Sequence, residues 1–393
     1  MSLLGHLKSV AETLTKKKSS EFSVPVAVQR DFLSAFPEPT DDLERSYNQY
    51  LCQMKLEGKG TAALYHLAGL VLLPVYQRRL LSAKAPDREP PCDAVFLYGG
   101  DADILPGSLQ VEFPRLVHLQ EFQSHFCLTA ADKTILAELR KRYPMVFYFR
   151  LKCMLKLGMY RWFYETYHPR ALIVSSEYSF TSSFLTAWCR QVGIEHINVM
   201  HGEKLFYIRD SFFRFDRCYI WSEFYRKLFS QLRAEPTQFH MEAPPCVQPW
   251  ADRAVKKEVD YTYYLQVEDD ATLRVIATQL SHLREKGCSV AVRPHPLYSD
   301  DAAVTRIFEG YLIEDPKTLP IRTSILRTQH VISKHSSVLL QAHTNGIPIV
   351  IDDVSMPKDF QRLRALQYQM LYEEHTLLSS HVSASAAGRQ TKD

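Results

Sequence analysis

Two textures of apolar residues succeed one another along the chain. At first they recur at helical spacing, through Tyr47, Leu51 and Met54 and again through Leu64, Leu67 and Leu70. Pro86, Pro90 and Pro91 interrupt that pattern. From Cys92 onward, short continuous apolar runs alternate with amphipathic stretches. DAVFLYGG predicts a strand entering a glycine turn, PRALIVSSEYSF a strand followed by a helix over Thr181 to Val192, and IEHINVMHGE another strand ending in a glycine turn. The second half repeats the scheme. DYTYYLQVEDD predicts a strand and an acidic loop, Ala271 to Lys286 a helix closed by Gly287, and CSVAVRPHP a strand ended by prolines. HVISKHSSV leads from a strand into a helix over Val338 to Asn345, stopped by Gly346, and IPIVIDD is a further buried strand.

Strand–helix alternation in both halves predicts parallel sheets covered on both faces. The expected architecture is α/β: two Rossmann-like domains facing a central cleft, with a helical N-terminal extension. The boundaries drawn from composition are 1–90 for the extension, 91–235 and 236–378 for the two domains, and 379–393 for a structureless Ser/Ala-rich tail. The joint region, Tyr225 to Val259, is rich in proline. At about 150 residues per domain, 393 residues suit two domains.

Composition narrows the function classes. Hydrophobic residues are 46% and aromatic residues 12% of the chain, too many for a disordered protein. A net charge of +3 and a pI near 8.3 argue against a nucleic-acid partner and suit an anionic donor or membrane surface. None of the eight cysteines stands in CxxC spacing, and Cys153, Cys189 and Cys218 sit in apolar runs, which reads as buried thiols in a reducing, cytoplasmic compartment. No stretch of about 18 uncharged apolar residues predicts a spanning helix. The N-terminus lacks the h-region of a secretory signal. Leu3, Leu7, Val10 and Leu14, followed by Lys16 to Lys18, offer two readings: peripheral contact with an anionic inner membrane, or a helix packed on the first domain.

Candidate chemistry collects at strand ends. Glu268-Asp269-Asp270 supplies carboxylates for general base work, or simply caps the following helix. In Arg293-Pro294-His295-Pro296 the prolines fix an imidazole beside a guanidinium, both suited to phosphate. Ser336 and Ser337 open a helix, where hydroxyls and backbone N–H groups form an anion site or an ordinary cap. The first half offers His201-Gly202-Glu203 and Glu177, also at strand ends, as acceptor-side candidates. Asp101 and Asp103 form a DxD sequence that is discounted as a metal site.

The order of an acidic pair, then His295-Pro296, then Ser336-Ser337 resembles the bacterial CMP-sialic acid sialyltransferases of the lipopolysaccharide and capsule type, whose signature is D/E-D/E-G, HP and a Ser/Thr pair on a GT-B fold. SSVLLQAHTNGIPIV is also similar to capsule Kdo transferases and CDP-glycerol glycerophosphotransferases. Asp270 stands where the acidic motif has glycine. The resemblance implies an inverting, metal-independent glycosyltransferase with no cofactor, moving sialic acid, a related nonulosonate or Kdo from its CMP-linked donor to a bacterial surface glycan. It implies Asp269 as base ahead of Glu203 and Glu177, His295 on the departing phosphate, and Arg293, Pro296, Ser336, Ser337 and Asp270 around the donor. The alternatives are a CDP-alditol phosphotransferase and a non-catalytic subunit that binds nucleotide or glycan.

Overall fold

The computed structural model describes residues 24–84, 86–122, 125–251 and 255–383. The N-terminal apolar face (Leu3 to Leu14 with its lysines) and residues 384–393 of the expected tail lie outside the described residues. The described residues divide into two compact units: those up to 201 with 206–242, and 202–205 with those from 243 onward.

The first unit begins with α1 (Val26–Ser34), α2 (Asp42–Glu57) and α3 (Lys59–Leu81). Its sheet comprises β1 (Ala94–Leu97), β2 (Leu116–Leu119), β3 (Ala171–Val174), β4 (Glu195–Val199), β5 (Arg217–Ile220) and β6 (Phe239–Met241). The order is β2-β1-β3-β4-β5-β6 and every pairing is parallel. Helices α4 (Gly107–Glu112), α5 (Asp132–Arg142), α6 (Phe147–Tyr167), α7 (Ser182–Val192) and α8 (Glu223–Gln231) complete the unit. Strands β1 and β3 are buried at every position, which is why they read as unbroken apolar runs.

The helices before residue 90 belong to this unit's core. Tyr47, Leu51 and Met54 of α2 pack against its main hydrophobic cluster. The row Leu64, Leu67 and Leu70 on α3 instead faces solvent, at 50%, 59% and 47% exposure. The buried side of α3 is Gly69, Leu73 and Leu80. Beyond the expected boundary at 235, β6 pairs with β5 and carries the first unit on to Glu242.

The second unit has β7 (Val259–Tyr264), β8 (Val290–Arg293), β9 (Leu312–Ile313), β10 (Thr328–Ser333), β11 (Ile349–Ile351) and β12 (Thr376–Leu377). They are arranged β12-β11-β10-β7-β8-β9, again all parallel. Counted from β7, this is the 3-2-1-4-5-6 order of a Rossmann dinucleotide-binding domain, with its switch point between β7 and β10. The helices are α9 (Asp270–Glu285), α10 (Asp301–Ile307), α11 (Ile321–Arg327), α12 (Ser337–Thr344), α13 (Pro357–Ala365) and α14 (Leu378–Val382). Leu273, Ile276, Leu280 and Leu283 set the buried face of α9 against Tyr261, Tyr263 and Val292 of the sheet.

The expectation of a structureless tail from Ser379 fails for its first residues. Leu378 is fully buried, Lys286 Nζ donates to the carbonyls of His381 (2.6 Å) and Ser383 (2.8 Å), and the Tyr261 hydroxyl meets His381 Nδ1 at 3.0 Å. An apolar anchor and several polar contacts hold α14, and none of them shows in a Ser/Ala-rich composition.

At Gly69, α3 lies against the first residues of α6. A Cβ added there would collide with the Tyr148 nitrogen and lie 2.6 Å from its Cα. Inside an ordinary helix, glycine to alanine gains roughly 0.5–1 kcal/mol. Here the sign reverses, because the methyl group meets backbone that has no rotamer to escape into. Gly69→Ala is expected to destabilise the chain by about 1–3 kcal/mol, the usual range for overpacking, read as a fall in the urea midpoint. A midpoint equal to or above wild type would show that the two helices separate freely.

Candidate functional site

In an open parallel sheet, ligands bind beyond the carboxyl ends of the strands, at the switch point. In the second unit that edge receives the segment after β7, the His295 turn after β8 and Lys334 to Ser336 after β10. Ser299 joins the first two: its Oγ accepts the His295 N–H (2.8 Å) and donates to the Gln266 carbonyl (3.3 Å). His295 is half-buried, stacks on Tyr298 with centroids 4.5 Å apart, and accepts the Leu297 N–H at Nδ1 (3.1 Å). With Nδ1 accepting, the neutral ring carries its proton on Nε2. Burial holds the imidazole below its ordinary pKa and so favours that neutral form.

The three consecutive carboxylates separate. Asp269 is exposed and caps α9, accepting the Thr272 N–H at 2.8 Å; hydrogen bonding to Thr272 holds it below the ordinary carboxylate value. Asp270 is exposed and paired with Arg306. Glu268 is the one that turns toward the sheet. Burial raises its pKa, the Gln266 N–H (2.7 Å) and the Lys334 ammonium oppose that rise, and Asp352 adds to it. The capping alternative therefore describes Asp269, and the inward carboxylate is its neighbour.

Arg293 pairs inside the second unit. Its guanidinium is buried, 3.2 Å from Glu314 Oε2 and donating to the Leu319 carbonyl at 2.8 Å, and Arg327 closes on the other oxygen of Glu314 at 2.9 Å. Pro296 is exposed. Ser336 caps α12 through Val338 N–H (3.3 Å), while Ser337 is exposed in the first turn.

Residues 202–205 cluster with the second unit although they follow β4. Gly202 adopts φ +66°, a left-handed turn that glycine takes without strain. The next residue, Glu203, places its carboxyl beside Tyr368. The Tyr368 hydroxyl donates to Glu203 Oε2 (3.2 Å) and accepts the N–H of Ser336 (3.1 Å). Glu203 Oε1 is buried with no hydrogen-bond partner among the described residues. Burial pushes this carboxyl up to about 8, and the Tyr368 hydroxyl alone opposes the shift. His335, next to the cap, is lowered to about 3 by burial and by Lys334, so its ring is neutral at physiological pH.

The remaining candidates lie in the first unit. His201 is exposed, its ring 5.5 Å from that of Tyr98. Glu177 is fully buried: Asn198 Nδ2 donates to its Oε2 (3.1 Å) and Gln49 Nε2 to its carbonyl (2.8 Å). The structure thus brings Glu203 and Ser336 together through Tyr368, and His295 to the segment after β7. It leaves Asp269, Asp270, Arg293 and Glu177 in structural contacts. Sequence reasoning missed Glu268 as the inward acid, and also Tyr368 and Ser299. Asp101 and Asp103 are exposed, and among the described residues no three His, Cys, Asp or Glu side chains converge as metal ligands would. No described helix is long and apolar enough to cross a membrane. None of the eight cysteines forms a disulfide, and burial raises the Cys153 and Cys189 thiols well above their usual range.

No family model matches the chain, and no curated protein does. Among solved structures, the chain is similar to the UDP-GlcNAc 2-epimerase of Neisseria meningitidis bound to UDP-GlcNAc, at 10% identity over 72% of this chain and 92% of that one, with a TM-score of 0.43. It is similar to a variant of the wall teichoic acid polymerase TagF, at 12% identity over 81% of this chain and 86% of that one, TM-score 0.44. It is also similar to the UDP-N-acetylglucosamine 2-epimerase of Rickettsia bellii, at 10% identity over 74% and 92%, TM-score 0.40. The sheet orders themselves define an α/β chain of two Rossmann-like units, the pair of domains of which a GT-B fold is composed.

The raised proton affinity of Glu203 carries a stability consequence. Unfolded, the side chain ionises above about 4.5; folded, it keeps its proton to about 8. Between those values the native state binds the extra proton, so the group's contribution to stability is lost as pH rises across that window. Glu203→Gln keeps an acceptor for Tyr368 and removes the titration. Relative to wild type, the variant is expected to gain on the order of 2–4 kcal/mol between pH 5 and pH 8, since each tenfold change in proton affinity is worth about 1.4 kcal/mol, measured by urea unfolding. An unchanged difference between the two proteins across that range would mean that the carboxyl is solvated and ordinary.

Proposed function

We propose that the chain is a GT-B-type transferase that takes a nucleotide-activated donor at the carboxyl edge of its second sheet and uses Glu203 as its acid–base group. The observation that carries this reading is a buried carboxyl, raised to about 8, held by Tyr368 against the cap of α12. Carboxyls tuned upward by burial are what general acid–base catalysis at neutral pH requires. In its ionised form Glu203 takes, at Oε1, the proton of an acceptor hydroxyl while the hydroxyl's oxygen forms its bond to the transferred group. The bond from that group to the donor phosphate breaks, and its electron pair leaves with the nucleotide. The Nε2–H of His295 donates to the departing phosphate, and Tyr368 keeps Oε2 in place. The chain supplies the proton acceptor, Glu203, and a donor to the leaving group, His295; the nucleophile is the acceptor's own oxygen.

The finer reading is a CMP-linked acidic sugar, sialic acid, another nonulosonate or Kdo, delivered to a surface glycan; it rests on the order of His295-Pro296 and Ser336-Ser337 behind an acidic segment. A second reading, transfer of an alditol phosphate from a CDP-linked donor, gains from one observation. The tuned carboxyl is Glu203, after the His201-Gly202 turn, while Asp269 is a helix cap.

Nucleotides separate these readings from their rivals, since a ligand of the native state raises apparent stability by mass action. CMP and CDP are expected to raise the melting temperature while UDP and GDP leave it unchanged. CMP release from CMP-sugars or from CDP-glycerol then distinguishes sugar transfer from alditol-phosphate transfer. Silence toward all four nucleotides would remove the transferase reading. Glu203→Gln is expected to lower turnover by about 10²–10⁴-fold with CMP protection intact, and Asp269→Asn to stay within a few-fold of wild type. The reverse pattern would return the base to Asp269. Turnover is further expected to survive EDTA; loss restored by manganese would redirect attention to Asp101 and Asp103.

A further inference from the structure

The first unit holds two lysines whose surroundings call for an anion. Lys152 and Lys156 stand one turn apart on α6 and line one wall of a cavity of 410 Å³. Both are half-buried, and neither makes a hydrogen bond or an ion pair with any described residue. Burial lowers both ammonium groups, and Lys152 lowers its neighbour further, to about 8. Elsewhere the chain pairs the cations it buries, as with Arg161 and Asp132 at 2.8 Å. Two unpaired cations kept side by side in a partly closed space are a cost that an anion removes.

The rest of the lining says what carries that anion. Ser176 and Ser179 come from the turn after β3, at the carboxyl edge where the strand order of this sheet reverses between β1 and β3. Gln53 is fixed by its bonds to the carbonyls of Tyr178 (2.7 Å) and Arg209 (3.2 Å). Tyr148, Tyr178 and Phe126 supply flat apolar walls. Hydroxyls, an amide and aromatic faces around a doubly positive wall match a saccharide bearing a phosphate or carboxylate, with its ring against the aromatics and its charge on the lysines.

We propose that this cavity binds an anionic saccharide, phosphorylated or carboxylated, through Lys152 and Lys156. On the transferase reading above, on which this last step rests, the saccharide is the acceptor.

Calorimetry on the full chain tests it with four probes: glucose 6-phosphate, glucuronate, inorganic phosphate and glucose. The two charged sugars are expected to bind, more tightly than inorganic phosphate, and glucose to bind at least tenfold more weakly than either. In the K152Q/K156Q double variant the charged sugars are expected to weaken by about tenfold or more, two charge-assisted contacts being lost, while protection by CMP is unchanged. K152R/K156R keeps the charge and is expected to keep binding. Glucose 6-phosphate and glucuronate ranked apart identify which anion the cavity takes. Equal affinity for inorganic phosphate and glucose 6-phosphate would overturn the saccharide, and binding that is absent, or indifferent to both double variants, would overturn the site. Lysine-dependent binding in a protein that ignores every nucleotide would leave the cavity standing and remove the transferase reading.

Discussion

A parallel sheet can be re-entered only from one edge, so each strand must be followed by a crossover that starts at its carboxyl end and returns outside the sheet. Most of the candidate chemistry in this chain follows from that constraint. Polar residues with candidate chemistry collect where the strands stop: Ser176 and Glu177 after β3, Glu268 after β7, His295 after β8, Lys334 to Ser336 after β10. Because both sheets reverse their order part-way across, each has a place where two successive crossovers leave in opposite directions and open a crevice. The candidate donor edge lies at one such place, and the lysine-lined cavity at the other.

Within that frame the treatment of buried charge sorts structural residues from chemical ones. Two buried acids show what a structural charge receives. Asp132 receives the Arg161 guanidinium, the indole N–H of Trp188 and the Thr129 N–H. Glu314 receives Arg293, Arg327 and the Ser324 hydroxyl. Such networks tie helices and strands together, and breaking one partner leaves an uncompensated charge. Glu203 and the pair Lys152 and Lys156 break this habit, the acid lacking a cation and the cations lacking an acid. Groups in such surroundings hold protons with altered affinity or hold ligands.

How far the sequence disclosed this depends on what each feature needs. The central strands β1, β3 and β11 were legible as unbroken apolar runs, which strands covered on both faces tend to be, and β4, β7, β8 and β10 as short β-branched or aromatic runs bounded by turn residues. The strands β6, β9 and β12, two or three residues long, carry too little pattern to register, and β2 is only half-buried at every position. The apolar row of α3 was legible as a helix but not as a surface, since the helix is apolar on both sides and the close approach at Gly69 decides which side is covered. Of Glu268, Asp269 and Asp270, one caps, one pairs outward and one turns in, a choice made by a single residue of register at the helix start. Glu203 was visible as a carboxylate after a glycine turn, but its partner Tyr368 lies 165 positions away. A signal for the cavity was present all the same: two lysines at i and i+4 in a helix whose other neighbours are apolar.

The four residues from Gly202 to Leu205 make the chain non-modular. They leave the first unit, join the second, and return before the first is finished. A protein assembled from two domains in tandem can exchange either half by recombination at one joint. Here a fragment beginning at Ala243 carries Tyr368 and the cap of α12 but not the carboxyl they hold, so any ancestral or engineered swap of the second unit has to bring a loop from the middle of the first with it. The acid is inherited with one half and placed by the other.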